Sequence, residues 1–263
     1  TYITEGIFAP WAFYVDDFKR VGGHDPLFAP QSREDSDIFN KFALNGYKFI
    51  QTWKGFVYHL TSRGSRFNPN ITQVGTNSSE WTIQNKKSER NFIRKWGTRP
   101  YHDNYMKPMV PPRYNITFVL DNLNNIDILN FVEPYATIVH CNTLNNSEKI
   151  VEEYKSGVDN GHYSMDTRVK HYDKNQIPDL KGTFYHSDTQ SDVIVYIDVL
   201  RFMDLHISLI QNITLAINDM ELSCKNDNIQ LPAVFEYHNI EVKVNKFNNI
   251  IAQNANLNVC VNK

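Results

Sequence analysis

The chain has 263 residues, 41% hydrophobic and 13% aromatic, which is enough apolar material for one large packed domain or two ordinary ones. A formal charge of −2 without any long basic run argues against a nucleic-acid partner, and no stretch approaches the ~20 apolar residues of a membrane span. Cys141, Cys224 and Cys260 are odd in number, far apart and without a CxxC pair, so neither a disulfide framework nor a zinc knuckle is indicated and a reducing, cytoplasmic compartment is expected.

Residues 1–96 are aromatic-rich and irregular in pattern. Asp16 to Gly23 reads as a short helix, with acids at its start and a glycine pair at its stop. Trp11, Phe13 and Tyr14 precede it. They are candidates either for core packing or for stacking on a sugar face, Trp11 above all. The next stretch, residues 28–42, reads FAPQSREDSDIFNKF. Ser32 three places before Asp35 has the spacing of a capping box, with Ser32 as N-cap. Ile38, Phe39, Phe42 and Ala43 supply an apolar helix face and Gly46 a stop. A cap needs one acid, however, and Glu34, Asp35 and Asp37 are three. Gly22-Gly23-His24-Asp25 stands just upstream, and glycine pairs let backbone approach a ligand closely. Helix cap and working site are therefore both open readings.

Phe49 to Tyr58 has strand-like composition and ends at His59. Arg63 and Arg66 follow in a Ser/Gly-bearing loop. Arginines of this kind clamp phosphate oxygens and a histidine can ligate a divalent metal; a solvated strand end is the plainer reading. Ser88 to Trp96 reads as a helix stopped by Gly97. Residues 98–113 carry Pro100, Pro108, Pro111 and Pro112 with little periodicity and read as a linker between residues 1–97 and 114–263.

Beyond it the texture changes. Ile116 to Leu120 and Ala136 to His140 flank a helical stretch from Ile126 to Val132, a βαβ signal. Val193 to Ile197 reads as a buried strand. A helix is expected after it, with Leu200, Met203, Ile207 and Ile210 on one face. Period-two alternation predicts strands at Met220-Leu222-Cys224, at Ile240-Val242-Val244 and at Leu257-Val259-Val261. Asp192 and Asp198 flank the Val193 strand, where α/β sheets often hold ligands.

The segment FKRVGGHDPLFAPQSREDSDIFNKFALNGYKF resembles the acceptor-side half of a family 2 glycosyltransferase of GT-A fold. It offers Gly22-Gly23-His24-Asp25, then Glu34-Asp35-Ser36-Asp37 opening a helix, then Gly46; FIRKWG, Phe92 to Gly97, resembles the tail of such domains. The likeness covers roughly residues 5–97. It implies an α/β, partly GT-A-like (nucleotide-diphospho-sugar transferase) region, followed by a second α/β or α+β accessory module of unknown role. It implies inverting transfer of a sugar from a nucleotide-sugar donor to the hydroxyl of a glycan acceptor. Asp35 would be the base, while Glu34, Gly22, Gly23, Trp11, Arg63 and Arg66 would contact substrate. His59 would contact a Mg2+ or Mn2+ ion. The family's cation-binding Asp-x-Asp normally precedes this region and has no counterpart here. With Thr1 in place of a Met start, the chain is expected to be cut from a longer enzyme and not to suffice for catalysis alone. The alternative is a non-catalytic carbohydrate-binding or structural module that keeps these elements as scaffold.

Overall fold

A computed structural model describes residues 10–50, 54, 77–104, 107–145, 148–157 and 168–253. The chain divides into two compact units. The first takes the described residues up to Lys95 together with Arg99–Val110, and the second takes Trp96–Thr98 and the described residues from Pro111 onward.

In the first unit α1 spans Val15–Arg20. Its end is a Schellman turn: Gly22 N–H donates to Lys19 O at 3.0 Å and Gly23 N–H to Phe18 O at 2.9 Å. Gly22 and Gly23 sit at φ 90° and 61°, which only glycine adopts without cost. Helix α2, Glu34–Leu44, ends the same way at Gly46, φ 77°. Its start departs from the sequence reading. The N-cap is Arg33, left-handed at φ 70°, with no side-chain cap bond. Ser32, itself at φ 80°, turns its hydroxyl away to Asn85 Oδ1 at 2.6 Å, so it does not cap. Helix α3 runs from Ser79 to Trp96, longer than the periodicity indicated, and stops at Gly97, φ 78°. The apolar interior gathers Val21, Ile38 and Phe42, with Trp11, Phe18, Tyr47 and Phe49 packed around them.

The expected linker is not a free tether. His102 bridges Pro108, Asp103 N–H donates to Lys107 O at 3.0 Å and Met109 N–H to Tyr101 O at 2.9 Å. These bonds close a local turn that belongs to the first unit.

The second unit is an α/β sheet of six strands in the order β3-β2-β1-β4-β6-β5. Strand β1, Ile116–Leu123, is almost wholly buried. Helix α4, Ile126–Val132, then leads to β2, Ile138–Thr143, and α5, Lys149–Gly157, precedes β3, Val169–His171. The chain then passes through a π-helical turn, Lys181–His186, and enters β4, Val193–Asp198, on the other side of β1. These four strands are parallel. The apolar runs of the two central strands, Ile116–Leu120 and Val193–Ile197, are what strands buried on both faces require, whereas β2 and β3 toward the edge carry polar residues. Strands β5, Ala233–Tyr237, and β6, Ile240–Val244, form a hairpin, with β6 antiparallel to β4.

Two expectations fail in this unit. The face Leu200-Met203-Ile207-Ile210 does not form. Leu200 lies in a 3-10 turn and Met203 is an N-cap, both exposed, before α6, Asp204–Gln211. Met220, Leu222 and Cys224 belong to a helix, α7, Ile213–Asn226. There Ile213, Ile217, Met220 and Cys224 are buried at spacings of four, three and four, and Leu222 is exposed. Three alternating residues fit either period, and length decides for the helix. A short helix, α8, Ile250–Gln253, closes the described chain. The proposed strand at 257–261 lies outside the described residues. No helix among the described residues is long and apolar enough to cross a membrane.

Candidate functional site

The three acids of the stretch and the upstream Asp25 resolve into two pairs. Asp37, fully buried at the end of the first turn of α2, faces inward: its Oδ1 is 2.6 Å from Lys95 Nζ and its Oδ2 2.9 Å from Lys41 Nζ. Lys95, with a side chain 2% exposed, also reaches Asp25 Oδ2 at 2.6 Å, and Lys41 donates to Gly23 O at 2.9 Å. Asp25 Oδ1 in turn accepts from Leu27 N–H at 2.9 Å and caps the 3-10 turn Pro26–Phe28. Two carboxylates, two ammonium groups and the Gly23 carbonyl thus tie the Gly-Gly turn to α2. Burial pushes the Asp25 carboxyl up, but the hydrogen bond and charge of Lys95 outweigh it and hold Asp25 below its ordinary range. The same balance leaves Lys95 raised: desolvation pulls it down, and the Asp37 charge and both carboxylate hydrogen bonds overcome that.

Glu34 and Asp35 form the other pair, half-buried in the first turn of α2. Neither is held by an ion pair among the described residues. Glu34 Oε2 is buried without a hydrogen-bond partner there. Desolvation raises the Glu34 carboxyl above its usual range, and the Asp35 charge adds to this. The backbone N–H groups of Glu34 and Ser32 and the charge of His24 oppose it. This is the environment in which a carboxylate holds a proton at higher pH than in water.

The structure places the remaining expected residues unevenly. Gly22 and Gly23 are in the turn tied to α2, but their φ angles already account for glycine there, and a Cβ on Gly23 would meet the Phe18 ring at 3.3 Å. Trp11 is half-buried, its ring 4.8 Å from Phe13, 5.3 Å from Phe39 and 5.9 Å from His24. It packs with the core rather than standing as a free platform. His59, Arg63 and Arg66 lie outside the described residues. Among the described residues no group of three or more His, Cys, Asp or Glu is placed to hold a metal ion. Asp25 and Asp37 are already engaged by ammonium groups, and Glu34 and Asp35 alone make no such group, so the described part of this site does not fit a divalent cation. Sequence reasoning missed Lys41 and Lys95. The Asp37-Lys41 pair was readable from its i, i+4 spacing. Lys95, 70 residues from Asp25, carried no local signal.

The second unit has its own polar cluster. Strand β1 has parallel neighbours on both sides, and the chain runs outward through β2 and β3 before returning to β4. The C-terminal ends of β1 and β4 are therefore the place where open α/β sheets bind ligands. Asp121 and Asp198 are register partners there. Asn122, left-handed at φ 61°, donates to Asp198 Oδ1 at 3.0 Å, takes a hydrogen bond from Lys174 and is held by Asn142 through its N–H at 2.8 Å. Asp192, at the other end of β4, is structural: its Oδ2 accepts from Asn115 N–H at 2.9 Å. A separate cavity of about 280 Å³ opens between α5 and β3, lined in part by Glu148 and His171. His171 Nε2 lies 3.2 Å from Thr143 Oγ1, and its Nδ1 is 3.4 Å from Glu148. The cavity lies in the second unit and holds none of the residues expected from the sequence.

No protein-family model, curated protein or solved structure matches the chain.

Proposed function

We propose that the first unit is the acceptor-side part of a glycosyltransferase and that Asp35 is its base. One observation supports this above the rest. Lys95 and Lys41 neutralise Asp25 and Asp37, tie the Gly-Gly turn to α2, and leave Glu34 and Asp35 in the first turn of α2 without an ion pair among the described residues. A helix that needed only a cap would not require a second acid pair that forms no ion pair among the described residues.

In the proposed reaction a sugar hydroxyl attacks the anomeric carbon of a nucleotide-linked sugar. As the new C–O bond forms, the hydroxyl proton passes to the Asp35 carboxylate. The anomeric carbon–phosphate oxygen bond breaks, and the nucleoside diphosphate leaves with the bonding pair, inverting the centre. Proton acceptance of this kind is worth about 10²–10⁴ in rate. Glu34, whose carboxyl is raised by burial, would hydrogen-bond the acceptor. A Mg2+ or Mn2+ ion, implied by the resemblance, would stabilise charge on the leaving diphosphate; its ligands would come from outside the described residues.

The test is Asp35→Asn in the full-length natural protein, assayed for nucleoside diphosphate release from a panel of UDP- and GDP-sugars with oligosaccharide acceptors. Asn preserves size but cannot take the proton, so turnover should fall at least about 100-fold. The melting temperature should hold, because Asp35 makes no ion pair or capping bond among the described residues. Near-normal turnover, or a loss explained by unfolding, would sink the assignment.

A further inference from the structure

We infer that Lys95 is the positioning residue of the Glu34-Asp35 pair, acting through Asp37 and Asp25 without touching substrate. The clamp itself stands on geometry; what the pair does in transfer rests on the function proposed above.

Helix α2 has one rotation about its axis at which Asp37 faces Lys95 and Lys41. Asp35 is two residues earlier, about 200° around the helix, and Glu34 three residues earlier, about 60° from Asp37. Fixing Asp37 therefore fixes the direction in which both first-turn acids project. The fixture has two arms. Lys95 Nζ stands 2.6 Å from Asp37 and 2.6 Å from Asp25, the aspartate that follows the Gly-Gly turn. Lys41 closes the second arm from Asp37 to the carbonyl of Gly23. The backbone entering α2 passes through two consecutive left-handed residues, Ser32 and Arg33, without a side-chain cap. Asn85, Gln84 and Ser88 of α3 hold this entering segment at Ser32 and at the Gln31 carbonyl, while the buried ion pairs are what fix the rotation of α2 at Asp37.

This placement makes the charge and the reach of Lys95 separable. Lys95→Met removes both contacts and leaves Asp25 without its ammonium. Lys95→Arg keeps the charge but moves the donors outward on a longer, planar head. The exposed Lys86 of the same helix, replaced in Lys86→Met, is the control.

The experiment follows the Glu34 and Asp35 side-chain carboxyl resonances by 13C NMR as pH is varied, in the wild-type chain and the three variants. If Lys95 positions the pair, Glu34 loses part of its burial in Lys95→Met. Its titration midpoint should then move down toward the ordinary range by half a unit or more, a factor of about three in its proton affinity. Lys95→Arg should move it in the same direction, and Lys86→Met should leave it alone. A folded Lys95→Met in which both acids titrate as in wild type overturns the inference. Should Lys95→Met not fold, Lys95→Arg decides by the same criterion: a shifted Glu34 supports the clamp and an unshifted one overturns it. Turnover read in parallel tests what rests on the proposed function. There the variants should lower kcat by about tenfold or more with acceptor KM within twofold, since Lys95 meets no ligand and misplacement acts on the chemical step. A wild-type protein that transfers no sugar would refute the functional reading while the titration still judges the clamp.

Discussion

His140 gives the second unit an acid-sensitive core that can be tested apart from function. Its ring stacks on Phe184 at 3.9 Å and 5°, and Nδ1 is 2.9 Å from the Tyr172 hydroxyl. Burial holds it neutral, from an ordinary 6.5 down to about 4; the Asp188 charge opposes this and the Lys170 charge assists. Between those values the unfolded chain binds a proton that the native state refuses. Stability is therefore fully present above pH 6.5, is lost as pH falls toward 4, and changes no further below that from this group. The full shift, about 2.5 units at 1.36 kcal/mol each, sets a ceiling near 3.4 kcal/mol. His140 is only half-buried, so solvent screening cuts the expected loss to about 1.5–2 kcal/mol. The assay is urea unfolding at intervals from pH 7 to 4.5, for wild type and His140→Phe, which keeps the stacked ring and removes the titration. Asp25 loses its contribution below about pH 3.8 and stays outside this window. Glu34 acts in the opposite sense and cancels between the two proteins. The wild type should lose about 1.5–2 kcal/mol more than the variant across the range. Parallel pH curves, or a His140 ring that titrates near 6.5 by NMR, would refute the reasoning.

Two further outcomes follow from side chains with unusual tasks. Arg33→Gly should relieve the left-handed N-cap of α2 by about 1 kcal/mol. The part-exposed Arg33–Glu89 contact at 3.8 Å returns less than ~1 kcal/mol of that, so thermal unfolding should show a small net gain, and a loss beyond ~1 kcal/mol would mean that Arg33 does more than turn the chain. Lys243 Nζ donates to the carbonyls of Tyr185, His186 and Asp188 at 3.0–3.2 Å, satisfying the end of the π-helical turn. Lys243→Met should cost about 2–3 kcal/mol by chemical denaturation, and a cost under ~0.5 kcal/mol would show that water replaces it.

The βαβ start of the second unit was legible because its signals are local and agree. Ile116 to Leu120 is too short and too β-branched for a helix, and Asn125 caps α4 through Asp127 N–H as its position suggests. Helix stops at Gly23, Gly46 and Gly97 were legible for the same reason, since glycine adopts the positive φ of a helix stop without steric cost. Ser32 misled because a capping box is a spacing rule, and a hydrogen bond to Asn85 from another helix overrode it. The division of the four acids was beyond sequence. The i, i+4 spacing to Lys41 marks Asp37 off from Asp35, but its burial between Lys41 and Lys95, and the link to Asp25, needed Lys95 brought from α3.

That ion pair also sets a timetable during synthesis. Asp25 leaves the ribosome 70 residues before its partner Lys95, an interval on the order of 4–14 s at ordinary elongation rates. Lys41 travels with α2 and stands 2.9 Å from one oxygen of Asp37 from within the same helix. The other oxygen of Asp37, and Asp25 itself, must stay in water until α3 is complete. The nascent unit therefore waits with its turn unlatched, and the acid pair takes its final bearing only when the last turn of α3 emerges.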